Sequence, residues 1–341
     1  MENHVRKRTL FRFLFIMLGA VITLGSLEIA ARRTYTMPWP ERMFRIQRSW
    51  RQFPYSRNTF GLRDKEPSPI KAPGTYRILV LGDSFTFGVG VPQDEDTWVR
   101  ILQRRLNLTG YRERMELLNA GIRGSVTEDW LRMTQRIWDE FRPDAVLIVY
   151  FLTDGIPRQY ALWHRIEAVD NANRRNWLYR VSYAFRFLKD QYESRRVPRQ
   201  YLEGFIESYL GNEQQTMQWR ESQATLLRIR DYARQRYADV GFVIFPVLTQ
   251  LNNNYPLQAV CDSIQAFAEG NGMLTKNLLP AFIGREGPGP WVSPYDEHLN
   301  EKAHRIAAES LLPFVKRIVR EHLVADDANN NRRSASPLNA F

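Results

Sequence analysis

The chain has 341 residues, 44% hydrophobic and 25% charged, enough for one sizeable core with peripheral elaboration and without a pattern that calls for a second globular domain. The one cysteine, Cys261, excludes an internal disulfide and a cysteine-held zinc, and the five histidines (His4, His164, His298, His304 and His322) form no metal-ligand pattern, so neither metal nor organic cofactor is expected. The net charge of +11 suits an anionic membrane or an acidic polysaccharide; the arginines are dispersed and no nucleic-acid motif occurs, which argues against nucleic acid as a partner.

Arg6, Lys7, Arg8 and Arg12 precede an uncharged stretch from Phe13 to Leu27. As a helix, residues 10–31 cover about 33 Å and cross a bilayer core, with Arg12 and Glu28 reaching the headgroups. Glu28 and Ile29 stand where a signal peptidase site needs small residues, so a retained signal anchor is expected, with a cleaved signal peptide as the alternative. Residues 1–9 are then a basic cytoplasmic tail, although Arg32 and Arg33 on the far side weaken the charge asymmetry. Residues 32–73, basic and punctuated by proline, form a stalk that enters the folded domain near Asn58-Thr-Phe-Gly-Leu-Arg63.

Ile78, Leu79, Val80 and Leu81 are apolar on both faces, as in a strand buried in a parallel sheet, and Gly82 lets the chain turn sharply into Asp83-Ser84. Ligands bind at the carboxyl ends of such strands, so Ser84 stands at a site edge; the bland alternative is a polar turn that caps the next helix. A helix follows near Trp98–Leu106, a strand near Met115, the run Leu117-Leu-Asn-Ala-Gly-Ile-Arg-Gly124, a helix near Glu128–Phe141 and a strand Ala145–Phe151 that leads into Leu152-Thr-Asp154. Residues 155–223 form an insertion rich in arginine and aromatics. Tyr179, Tyr183 and Phe187 at helical spacing read as packing, and a lid over the site is the sharper alternative. A helix from Thr225 to Tyr237 and a strand Val240–Val247 complete an alternation that predicts a three-layer α/β/α sandwich around a mostly parallel sheet.

Near the C-terminus, Trp291-Val-Ser-Pro-Tyr-Asp-Glu-His-Leu-Asn300 places Asp296 two residues from His298, on one face of an extended segment. Asp296 would hold one imidazole nitrogen while the other faces Ser84, the geometry of nucleophile, base and orienting acid; Glu297 points the other way. Asn300 reads as the N-cap of a final helix, His304 as packing or solvent-facing, Cys261 as a buried inert thiol, and residues 326–341 as a disordered tail.

The Gly-Asp-Ser turn and the late Asp and His ahead of the last helix resemble the SGNH, or GDSL-type, serine hydrolases over about residues 58 to 322. The resemblance implies an SGNH/flavodoxin-like fold over residues 74–325 and a serine esterase acting on an acylated small molecule or polysaccharide. It assigns oxyanion donors to the backbone N–H groups of Ser84 and Gly121. The family usually has Gly-x-Asn-Asp where this chain reads Phe151-Leu-Thr-Asp154, which sets Thr153 in place of the family's asparagine, or Asp154 if the register shifts by one. Thr153 is preferred because a hydroxyl donates to an oxyanion that an ionised carboxylate would repel. Related anchored hydrolases expose the domain beyond the membrane, so a periplasmic domain acting on O-acetyl groups of envelope polysaccharide is expected. The alternatives are an O-acetyltransferase in exopolysaccharide modification and a catalytically weak glycan- or partner-binding module.

Overall fold

The structure, a computed structural model, describes residues 2–50, 55–157, 162–285, 289–293 and 296–335, with side chains throughout except at 2–5, 46–50, 292–293, 296–297 and 323–335. The chain divides into two compact units, residues 1–46 with 158–201 and residues 47–157 with 202–341, where the sequence pointed to one domain. The reason is that the first half of the insertion packs with the N-terminal segment rather than joining the main core.

In the first unit, α1 (Glu2–Thr34) is one continuous helix, long and apolar enough to cross a membrane, with its apolar side chains exposed from Leu10 to Ile29. The expected stalk holds the last residues of α1 and a second helix, α2 (Trp39–Trp50); residues 51–54 lie outside the described residues.

The second unit is built on β1 (Thr75–Gly82), a single turn of helix α3 (Ser84–Phe87), α4 (Trp98–Asn107), β2 (Arg114–Gly121), α5 (Thr127–Phe141) and β3 (Ala145–Phe151). The insertion follows a 3₁₀ turn, Leu152–Gly155, and is helical: α6 (Leu162–Arg175), α7 (Trp177–Val181), α8 (Tyr183–Leu210) and the start of α9 (Met217–Arg234). Then come β4 (Asp239–Phe245), α10 (Gln258–Gly270), β5 (Leu274–Asn277), α11 (Leu279–Phe282), the hairpin β6 (Trp291–Ser293) and β7 (Asp296–Leu299), and α12 (Glu301–Ala335). α12, which contains Pro313, runs on into the segment expected to be disordered, where no Gly or Pro lies between residues 326 and 335; residues 336–341 lie outside the described residues.

The five strands pair in parallel in the order β2-β1-β3-β4-β5. Every residue of β3 and all but the first of β1 are buried, which explains the unbroken apolar runs. α4 packs with α12, and α5 with α9, so helices cover both faces. The chain leaves β1 toward β2 and then returns to β3 on the other side of β1, a topological switch point that opens a crevice at the carboxyl ends of these strands.

Candidate active site

Ser84 stands at this switch point. β1 ends at Gly82, where a Cβ would lie 2.2 Å from Thr86 Oγ1 and 2.9 Å from the Val149 carbonyl oxygen, so only glycine lets the chain fold back this tightly. Asp83 caps α3, its Oδ1 accepting from the Phe85 N–H at 2.9 Å, and Gly88 closes the turn in the left-handed region at φ 86°. The capping role considered for this turn is therefore real, and it belongs to Asp83; Ser84, half-buried, opens the helix.

The nucleophile turn is held from behind by Arg63, which is 1% exposed. Its guanidinium donates to the carbonyl oxygens of Phe87 at 3.2 Å and Val91 at 2.5 Å and pairs with Asp94 at 2.6 Å. Next to it, Asp64 pairs with Arg100 and accepts from the Asn119 N–H at 3.2 Å. Sequence reasoning missed Arg63 and Asp64, since one arginine among many carries no local mark of burial.

The β6–β7 hairpin brings in the base. His298 Nε2 lies 2.9 Å from Ser84 Oγ, although the two residues are 214 positions apart, and its ring lies 5.4 Å from that of Phe85. Asp296 opens β7 and pairs in register with Ser293; its side chain and that of Glu297 lie outside the described residues. Asn300 caps α12 as expected, its Oδ1 accepting from the Ala303 N–H at 3.0 Å.

Gly121 ends β2 as the register partner of Gly82. A Cβ there would sit 2.2 Å from Phe87 N and 2.7 Å from Thr86 C, so α3 packs backbone to backbone on this glycine. Its N–H donates to Asn119 Oδ1 at 3.1 Å, within its own strand end, so an oxyanion would have to share this hydrogen or displace Asn119.

Thr153 is half-buried in the 3₁₀ turn after β3, and Asp154 is 3% exposed with Oδ2 accepting from the Phe151 N–H at 3.0 Å. Burial first, and then the neighbouring Asp83, raise Asp154 well above the usual carboxylate range. Burial beside Asp83 thus disfavours the charged form of Asp154. Asp83, also buried, is pushed up to about 6 by desolvation against the opposing Phe85 N–H and His298.

His304 is fully buried, Nδ1 accepting from the Trp98 N–H at 3.0 Å, and burial followed by repulsion from Arg63 and His298 lowers it to about 3. Burial pushes the Cys261 thiol up to about 12, so it is no thiolate nucleophile. Among the described residues no group of His, Cys, Asp and Glu could hold a metal.

Two arginines rim the turn. Arg57 and Arg123 are exposed, their guanidiniums 5.2 and 5.4 Å from the Phe87 ring centroid, and Arg123 lies 5.5 Å from that of Tyr55.

No family model matches the chain, and no curated protein matches it. Solved structures are similar. The crystal structure of TesA is 20% identical, covering 71% of this chain and 99% of its own, with a TM-score of 0.44. The psychrotrophic esterase EstA from Pseudoalteromonas is 15% identical, with 72% and 98% covered and a TM-score of 0.43. A mutant of the acetyl-xylooligosaccharide esterase Axe2 from Geobacillus is 15% identical, with 72% and 95% covered and a TM-score of 0.42. The parallel sheet, the Gly-Asp-Ser turn at the end of β1 and the histidine brought to that turn just ahead of the last helix give the chain an α/β fold with a serine and a histidine facing each other at the switch point.

Proposed function

We propose that the protein is a membrane-anchored serine esterase that removes O-acetyl groups from an acidic envelope polysaccharide. The 2.9 Å separation of Ser84 Oγ and His298 Nε2 carries this reading, because it is the distance at which an imidazole takes the serine proton as the oxygen attacks.

His298 accepts the Ser84 proton as Oγ attacks the acyl carbon, and the carbonyl electrons move onto its oxygen. The Ser84 N–H, at the start of α3, is assigned to donate to that oxygen, with Gly121 and Thr153 as further donors. Collapse of this intermediate expels the sugar alkoxide, which takes the proton from the His298 imidazolium. Water then attacks the acetyl-serine with His298 again as base, and acetate leaves. Asp296, beginning the strand that bears His298, is assigned to hold the other nitrogen and stabilise the imidazolium.

Arg57 and Arg123 support the acidic substrate class, since exposed cations at Phe87, on the short helix that Ser84 opens, raise the local concentration of a polyanion. α1 supports the anchor, and the basic tail supports a cytoplasmic N-terminus with the catalytic unit in the periplasm.

The test is p-nitrophenyl acetate turnover and acetate release from acetylated oligosaccharides by the parent and by Ser84→Ala, with an oligosaccharide acceptor present and absent. Turnover lost in Ser84→Ala supports the esterase; acetyl transfer to the acceptor would make the protein an acetyltransferase; no turnover and no acyl-serine would overturn the enzymatic reading.

A further inference from the structure

The expected choice for the insertion was packing or a lid, but α7 and the first half of α8 pack on the C-terminal end of α1. Glu28 supplies the N-terminal cap of α8: its carboxylate accepts from Ser182 Oγ at 2.8 Å and from the backbone N–H groups of Tyr183 and Ala184, each at 3.0 Å. Further along, the Tyr35 and Phe187 rings meet edge to face at 6.2 Å. Asp190, 4% exposed, accepts from the Tyr35 hydroxyl, from the Trp39 N–H at 2.7 Å and from the Tyr179 hydroxyl at 2.9 Å.

These contacts advance in step. Residue 28 faces 182–184, and residues 35–39 face 187–190, so both chains climb about 10 Å between the two sets. α8 therefore runs parallel to the end of α1 and begins level with Glu28, where the apolar stretch of α1 ends.

The surface at that level is apolar and basic together. Trp177 is 71% exposed and Val181 55%. Arg32 donates to the Val181 carbonyl oxygen at 3.3 Å and lies 4.9 Å from the Tyr183 ring centroid, while Arg186 donates to the Arg180 carbonyl oxygen at 2.5 Å. Exposed tryptophan and aliphatic side chains among arginines, at the end of a spanning helix, are the composition of a bilayer interface.

We propose that α7 and the first turn of α8 form a collar seated on an anionic bilayer, with Trp177 and Val181 entering the headgroup region and Arg32, Arg180 and Arg186 meeting lipid phosphates. The proposal rests on reading α1 as the membrane anchor. It gives a purpose to Glu28, the one charged side chain between Phe13 and Ala31: its carboxylate fixes the collar at the height of the interface.

The full chain is reconstituted in vesicles of phosphatidylcholine and phosphatidylglycerol, bearing one introduced cysteine at a time labelled with a fluorophore; buried Cys261 does not compete for label. The positions are Trp177→Cys, Ile22→Cys and Arg195→Cys, the last about 18 Å along α8 from Tyr183. Lipids spin-labelled on the headgroup or on the acyl chain serve as quenchers. The expected result is loss of emission at 177 with headgroup quencher, loss at 22 with acyl-chain quencher and none at 195. Quenching at 22 without quenching at 177 overturns the collar and leaves the anchor standing. Equal quenching at 177 and 195 overturns the parallel arrangement. Absence of quenching at 22 removes the anchor and the collar with it.

Discussion

Gly82 and Gly121 end neighbouring strands as register partners, Ser84 and Arg123 each follow two residues later, and the Arg123 guanidinium lies 5.4 Å from the ring centroid of Phe87, the last residue of the helix that Ser84 opens. The Ile122 N–H donates to the Gly82 carbonyl oxygen at 2.9 Å, and the backbone of Phe87 packs against Gly121. Arg57→Glu with Arg123→Glu is expected to lower the ratio of kcat/KM on acetylated uronic-acid oligosaccharides to that on neutral ones about tenfold, a difference of about 1.4 kcal/mol. Added salt should shrink the parent's preference, because the charges are exposed. Initial rates on the two substrates across a salt series check this.

Gly121→Ala pushes a methyl group into the backbone of α3, within 2.2 Å of Phe87 N. The strand end or α3 must move, at a cost of about 1 to 3 kcal/mol. Denaturant midpoints should fall accordingly. Turnover of p-nitrophenyl acetate should fall further than stability explains at temperatures where the variant is folded, because the displaced helix carries Ser84.

The acid of the triad separates by substitution. Asp296→Asn should reduce kcat by about 10⁴-fold by favouring the wrong imidazole tautomer, with KM little changed. Glu297→Gln should leave kcat within a few-fold of the parent. Equal losses in the two variants would reject Asp296 as the orienting acid.

Two buried groups bend stability with pH in opposite directions. Asp83, raised to about 6, holds a proton in the folded state that the unfolded chain has lost, so its contribution is present below about pH 4 and fades as pH rises through 6. His304, lowered to about 3, stays neutral in the fold while the unfolded chain takes up a proton below about pH 6.5, so its contribution is lost as pH falls toward 3. Asp83 is worth on the order of 3 kcal/mol and His304 on the order of 5 kcal/mol. Asp83→Asn, which keeps an acceptor for the Phe85 N–H, should make stability rise more steeply with pH between 4 and 6 than in the parent. His304→Gln, which keeps an acceptor for the Trp98 N–H, should shift that slope the other way. Urea midpoints at four or five pH values check both signs.

The strand runs at Ile78, Ala145 and Val240 were legible because a strand covered on both faces must be apolar throughout. β5 was not, since Leu274–Asn277 is four residues long with every position half-buried and no periodic signal. Ser84 was legible from its turn, because Gly82 is required where a Cβ meets the Val149 carbonyl. Arg63 was not, because its role depends on carbonyl groups 24 and 28 residues away.

By itself the sequence determined the parallel α/β architecture, the spanning length of the N-terminal helix and the residues able to serve as nucleophile and base, since each rests on local pattern: apolar period, helix length and residue chemistry. Only the tertiary structure decided that His298 meets Ser84, that the Gly121 N–H already serves Asn119, that Asp154 is buried and that α7 and α8 pack against the end of α1. Those outcomes depend on distance and burial between residues far apart in the chain, and local pattern carries neither.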